Sequence, residues 1–205
     1  MLQKNFQNKW KNIVNNKDFT EIFEKTNALI YGHFILSSGL RSDAYFQCAK
    51  VLQYPEYLTM FGEILSNHFK SYSVDKVISP ALGGIVLGTE VGRQLGVKTI
   101  FCERIDQNMK LRRGFTIKEG EKILIIEDVL STGGSLKEVM KLVNHHRGIV
   151  CGIGVIVDRS SSKIDLHEEF FSVTKQVANI FSPEDIPDSL RNIPPTKPGS
   201  KNIDV

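Results

Sequence analysis

The stretch KILIIEDVLSTGGS, residues 122–135, decides how the rest of the chain is read. Ile123 to Ile126 form its longest uninterrupted aliphatic run. A short continuous apolar run, as opposed to an alternating one, is what a strand needs when both its faces are covered. The run ends in two adjacent carboxylates, Glu127 and Asp128, and then in the small residues Ser131, Thr132, Gly133, Gly134 and Ser135. LKEVMKLVNHHRG (136–148) follows as an amphipathic helix with a glycine at its end. Glycines and hydroxyls let the backbone curl so that successive N–H groups and the positive end of the following helix face one point, which suits a phosphate monoester. Carboxylates beside such a cradle repel a phosphate but accept hydrogen bonds from sugar hydroxyls, so the arrangement suits a ribose 5-phosphate. A plainer reading is that Asp128 and Ser131 cap the next helix and the glycines make a tight turn.

On either side the same alternation recurs. KVIS (76–79) is a short buried strand, PALGG a turn, IVLGTEVGRQL (85–95) a helix and VKTIFCE (97–103) the next strand. IVCGIGVIVDR (149–159) is a further buried strand. Apolar strands alternating with helices predict an α/β fold with a mostly parallel sheet flanked by helices. Ligands of such sheets bind beyond the carboxyl ends of the strands, here residues 79–84, 103–114, 127–135 and 158–160. Upstream, a helical pattern runs from Pro55 to about Phe69, and GHFILSSGLRSDAYFQCAK (32–50) reads as a hairpin or irregular strand pair forming a small hood. Phe6, Trp10, Ile13, Val14, Phe19, Ile22, Phe23, Leu29 and Ile30 recur at helical intervals, predicting one or two amphipathic helices within residues 3–30. Pro194, Pro195 and Pro198 make the tail loop or extended chain. The organisation expected is one domain over 1–205, with N-terminal helices and hood in 1–50, an α/β core in 51–182 and a tail in 183–205.

Composition excludes more than it selects. The 205 residues are 41% hydrophobic and 24% charged, with a net charge of +3. That balance does not point to nucleic acid or an anionic membrane surface. A spanning helix needs roughly 20 apolar residues, which no segment supplies. The Lys/Asn-rich start lacks the apolar core of a secretory signal, so a cytoplasmic address is expected. Cys48, Cys102 and Cys151 are odd in number and set in apolar contexts, as buried thiols are. No CxxC or HExxH spacing, no GxxxxGK[ST] and no GxGxxG after a strand occurs. The near-neutral total conceals two basic segments. Residues 1–17 carry four lysines and no acid, and residues 104–113 carry Arg104, Lys110, Arg112 and Arg113 against Asp106.

The run of strand, acidic pair, aliphatic pair, hydroxyl residues and glycines in IIEDVLSTGGS resembles the phosphoribosyl-diphosphate (PRPP) motif of the type I phosphoribosyltransferases. GHFILSSGLRSDAYFQCAKVLQYP, VISPALGGIVLG, FCERIDQNMKLRRGF, VIVDRS and PPTKPGS are similar, in order, to blocks of the orotate phosphoribosyltransferases, from about Gly32 to Ser200. The resemblance implies the type I fold with a hood and a flexible lid loop over 104–114. It implies transfer of phosphoribosyl from PRPP to orotate in pyrimidine synthesis, with Mg²⁺ held mainly by PRPP and without direct protein ligands. It implies PRPP binding by Glu127, Asp128, Val129, Leu130, Ser131, Thr132, Gly133, Gly134 and Ser135, and by Arg104, Lys110 and Arg112 of the lid. Asp128 and Lys110 are the implied catalytic residues.

The resemblance also implies orotate binding by Ser131, Arg159, Tyr45 and Phe46, with Ser38 and Gly39 beside the ring. An arginine fork is well matched to the orotate carboxylate. The implied diphosphate loop is Ala81, Leu82, Gly83 and Gly84. Many relatives carry lysines where this chain has Gly83 and Ser37, and the lid lacks their histidine, so the lid cations are expected to supply the missing charge. A homodimer sharing its lid between subunits is implied, with no nucleic acid or membrane as partner. The rivals are a purine or uracil phosphoribosyltransferase, which has no need of Arg159, and a regulator that keeps the PRPP pocket and binds nucleic acid.

Overall fold

The computed structural model describes residues 19–36, 39–106 and 108–197. Its centre is a six-stranded sheet of β3 (Lys76–Pro80), β4 (Lys98–Ile105), β5 (Asn108–Leu111), β6 (Lys122–Leu130), β7 (Ile149–Asp158) and β8 (Phe170–Lys175). The spatial order is β5-β4-β3-β6-β7-β8, and every neighbouring pair is parallel except β4 with β5. The continuous run in β6 is explained by what covers it. Leu124 and Ile126 face one apolar layer, with Phe61, Leu65 and Phe69 of α3 (Pro55–Phe69) and Leu87 and Val91 of α4 (Gly83–Leu95). Ile123 and Ile125 face the other, with Leu136, Val139 and Val143 of α5 (Gly134–His145). All four β6 side chains are fully buried. At about 1.5–3 kcal/mol each for burying a large aliphatic side chain, this strand is a principal source of stability.

A second sheet, order β1-β2-β9, forms the hood from β1 (Leu29–Ile35), β2 (Arg41–Phe46) and β9 (Ile180–Phe181), all antiparallel. It is joined to the main layer through aromatic rings. Phe23 of α1 (Thr20–Lys25) meets Phe46 edge-on at 4.7 Å and stacks on Phe61 at 5.9 Å. The short helices α2 (Ala49–Leu52) and α6 (Asp188–Arg191) complete the described elements.

The expected hairpin at 32–50, helix at 55–69 and four parallel strands are present. Leu29 and Ile30 belong to β1 instead of a helix: Thr26 ends α1, Asn27 adopts a left-handed φ of 55°, and the chain then alternates buried Leu29 with exposed Ile30. Phe6, Trp10, Ile13 and Val14 lie outside the described residues, as do Ser37, Ser38 and residues 198–205. The basic stretch expected as a loop begins as a hairpin, because Met109 and Leu111 of β5 pack on the second apolar layer and hold β5 against β4. The tail is not free of the hood. Ile35 N–H donates to Thr196 O at 2.8 Å and Thr196 N–H to His33 O at 2.9 Å, adding a short parallel bridge to β1.

Candidate active site

The carboxyl ends of β3, β6 and β7 converge, and each delivers a different chemistry. Glu127 and Asp128 lie in the last four residues of β6 with side chains only partly exposed. Burial is the main cause that pushes the Glu127 carboxyl up to about 8, with the neighbouring Asp128 charge adding to it. Burial also raises Asp128, against the Val129 N–H that donates to its Oδ1 at 2.9 Å. Among the described residues no cation pairs with either acid. The capping explanation of this segment does not hold: α5 has no side-chain cap, and Asp128 spends its hydrogen bond on Val129.

Between the acids and α5 the chain turns through Ser131–Gly133. Gly133, at φ 76°, occupies the left-handed region that lets the loop close, and a side chain there would press on Ile164 and Leu166 at 3.2 Å. Ser131, Thr132 and Gly134 are exposed, so hydroxyls and the first amides of a 12-residue helix are open to a ligand.

The turn Ala81–Gly84 after β3 stands directly against the acids. Ala81 N–H donates to Cys102 O at 2.8 Å, the Ala81–Leu82 peptide is cis, and Leu82 is exposed. Gly83 approaches so closely that a Cβ there would lie 2.5 Å from Asp128 Oδ2. The absence of a lysine at this position therefore has a local meaning: any side chain at 83 displaces the Asp128 carboxylate.

Beyond β7, Arg159 Nη2 donates to Ala44 O at 3.1 Å in the hood, and no carboxylate among the described residues forms an ion pair with it. Burial lowers its guanidinium from the ordinary arginine range, with Tyr45, Cys48 and Asp43 acting in the opposite sense. Tyr45 is raised by burial, lowered by Arg159 and raised by Asp128. The tyrosine, the arginine and the acid are therefore within electrostatic reach of one another, although they come from three separate segments. Phe34 packs on Tyr45 at 5.7 Å.

Phe46 is corrected. Strand alternation sends its ring to the opposite face of β2, into the core against Phe23, where it is 5% exposed. The apolar context of Cys48 in the sequence marks only a core thiol. Cys48 is buried, and its Sγ lies 3.8 Å from Asp128 O, so it touches the main chain of a residue that carries one of the acids. Nothing in its spacing distinguishes it from the other two cysteines.

The lid cations divide into two pairs. Arg104 reaches Glu138 of α5 at 2.8 Å, and Arg113 reaches Glu103 at 3.1 Å while lying over the Phe101 ring at 5.5 Å. Lys110 and Arg112 are exposed and form no ion pair among the described residues. Arg113 and Gly114 both adopt positive φ, at 58° and 74°, where the hairpin returns to the body. Neither carboxylate partner of Arg104 and Arg113 lies within the lid stretch 104–114. Glu103 was visible as a neighbour of the lid, but Glu138 comes from a remote helix.

The model of the phosphoribosyl transferase domain family matches residues 49–188. An orotate phosphoribosyltransferase of Caldanaerobacter subterraneus subsp. tengcongensis is 51% identical over 183 residues, covering 89% of this chain and 96% of that one. The orotate phosphoribosyltransferase of Thermotoga maritima is 46% identical, with 89% and 98% covered. Among solved structures, that of orotate phosphoribosyltransferase from Aeropyrum pernix superposes with a TM-score of 0.68 at 20% identity, over 77% of this chain and 93% of that chain. The matched span 49–188 contains the acidic pair, the small-residue loop, the lid and Arg159, and with the relatives' identity over most of the chain it shows that the chain belongs to the orotate phosphoribosyltransferases of the phosphoribosyl transferase domain family.

Proposed function

We propose that the chain transfers the 5-phosphoribosyl group from PRPP to orotate, giving orotidine 5′-monophosphate and diphosphate. The observation that carries this reading is a site whose buried groups lack partners among the described residues: Arg159 without a carboxylate, and the carboxyls of Glu127 and Asp128 without a cation. Orotate brings the carboxylate, and PRPP brings hydroxyls and a cation-bearing diphosphate. A neutral purine or uracil leaves Arg159 unmatched.

In this reading Ser131 to Ser135 hold the 5-phosphate through hydroxyls and amides at the start of α5, following on from Val129 and Leu130 at the end of β6. Glu127 and Asp128 accept the ribose hydroxyls and favour the positive charge that grows on the ring as the bond from C1 to the diphosphate oxygen breaks. The electron pair of that bond leaves with diphosphate, and the orotate ring nitrogen forms the new bond to C1 as its N–H proton passes to the departing diphosphate. Ala81 to Gly84 present main-chain groups to the leaving diphosphate, with Gly83 setting the distance to Asp128. Lys110 and Arg112 are the lid cations available to it, while Arg104 acts through its position beside α5. Closing the lid excludes water that would otherwise hydrolyse PRPP. Arg159 takes the orotate carboxylate, Tyr45 lies beside the ring and Ser131 reaches both substrates.

Magnesium, when bound with PRPP, supplies positive charge to the leaving group. Glu127 and Asp128, which pair with no cation among the described residues, leave room beside PRPP for a cation that PRPP itself mainly holds. A homodimer sharing its lids and a cytoplasmic location belong to the same reading. No helix among the described residues is long and apolar enough to cross a membrane.

The test is incubation with PRPP and Mg²⁺ together with orotate, adenine or uracil, reading diphosphate release. Release with orotate alone is expected. Release with adenine or uracil at a comparable rate overturns the base assignment, and no release with any of the three overturns the transfer itself.

A further inference from the structure

Arg159 is the first residue beyond β7, where a long, rotamer-rich side chain has no regular element to direct it. We infer that Asp158 is a positioning residue that sets Arg159 for the orotate carboxylate, an inference that rests on the reading of Arg159 given above. Asp158 ends β7, is 8% exposed, and its main chain is already committed: Gln176 N–H donates to its carbonyl at 2.9 Å, and it pairs across to Leu130 and Lys175. Those ladder bonds need no side chain.

The carboxylate does something separate. Its Oδ1 accepts the Ser160 N–H at 2.8 Å and the Ser160 hydroxyl at 2.6 Å, closing a turn whose middle residue is Arg159. Ser160 is itself 4% exposed, so the turn is fixed from inside. Arg159 N–H donates to Leu130 O at 2.8 Å, tying the same turn to the strand that carries the acids. The guanidinium is thereby aimed at the hood, where it meets Ala44 O.

The arrangement has a second consequence. Asp158 adjoins Arg159 in sequence and could neutralise it, but its oxygens are occupied by Ser160 and by Lys175 Nζ at 3.8 Å. The guanidinium is left for an external anion. The Asp-Arg-Ser order thus both points the arginine and keeps the adjacent negative charge from claiming it.

The experiment compares Asp158→Ala, Asp158→Asn and Arg159→Ala in the full-length enzyme, measuring KM for orotate and for PRPP separately, with kcat. Misplacing a binding group by about an ångström costs up to roughly 10²-fold. Asp158→Ala is therefore expected to raise the orotate KM by roughly tenfold while the PRPP KM stays within about twofold. Asp158→Asn keeps an oxygen for both Ser160 donors and is expected to return the orotate KM to within about threefold of wild type.

An unchanged orotate KM in Asp158→Ala, alongside a raised one in Arg159→Ala, overturns the role of Asp158 and leaves that of Arg159 standing. An unchanged orotate KM in Arg159→Ala overturns the underlying reading instead. Equal rises in both KM values without rescue by Asn mark general damage and also overturn the inference. If Asp158→Ala does not fold, Ser160→Ala removes only the 2.6 Å hydroxyl bond. An orotate KM raised by about threefold with PRPP unaffected then supports the inference, and no change overturns it.

Discussion

At the amino ends of β3 and β6, Lys76 Nζ lies 2.7 Å from Glu121 Oε1, with the two side chains 7% and 15% exposed. The ammonium also donates to Thr116 O, and the Lys118 N–H donates to Glu121. Although burial pushes the Glu121 carboxyl up, these bonds and the charges of Lys76 and Lys118 hold it below the usual carboxylate range. At the carboxyl end of the same strand β6, Glu127 and Asp128 are held above that range and find no cation among the described residues. Buried charge is costly unless paired and hydrogen-bonded. One end of the sheet completes itself and the other is left to be completed by a ligand, so structural and functional charge separate along a single strand.

The largest effect expected from breaking this contrast is on stability. Lys76→Ala removes a buried ammonium and leaves the part-buried Glu121 with only its Lys118 contacts, and is expected to cost about 3 kcal/mol in denaturant unfolding, with kcat of the folded fraction unaltered. A variant as stable as wild type would make the amino end no more structural than the other.

Asp128→Asn is expected to do the reverse, lowering turnover roughly 10²-fold at unchanged or slightly higher stability; near wild-type activity in a steady-state assay removes Asp128 from the chemistry. Within the lid the same distinction applies. Lys110→Ala, which breaks no ion pair, is expected to lower kcat by about tenfold and leave orotate binding intact. Arg113→Ala loses an exposed pair with Glu103, a class worth about 0–1 kcal/mol, and should change kcat far less. Greater damage from Arg113→Ala reverses the assignment of the lid cations.

The smallest expected effect is in pH dependence. Burial, with the neighbouring Asp128 charge, pushes the Glu127 carboxyl up to about 8, against 4.5 for an ordinary carboxyl. Between those values the folded state holds the proton that the unfolded chain releases, so this group's contribution to stability is whole below the unfolded value and declines as pH rises towards 8. Glu127→Gln abolishes that decline, and its melting temperature should gain on wild type steadily from about pH 5 to pH 8. Glu121 slopes the other way, its contribution being lost in acid as pH falls through its lowered value. A constant difference between Glu127→Gln and wild type across the window would show that Glu127 is no more burdened by burial than a surface acid.

The sheet was readable because Ile123 to Ile126 and the neighbouring apolar runs state their own burial, and the acidic pair and loop were readable because they are contiguous. Leu29 and Ile30 misled, since a three- or four-residue interval across a turn imitates a helix. Strand β8 went unmarked because FFSVTK (170–175) has no strong apolar run and follows a polar segment. Tyr45 and Phe46 were separable in principle by strand alternation, but only the position of α1 shows which of the two faces is core.

By itself the sequence determined the buried strands, the order of helices between them and the position of the acids and glycines at a strand end, because each depends on residues close together in the chain. The tertiary structure alone decided which charges are neutralised, because neutralisation joins residues far apart. Glu121 lies 45 residues from Lys76, and the hood carbonyl that Arg159 meets lies 115 residues away. A charge left without such a partner cannot be recognised until the fold has had the opportunity to supply one.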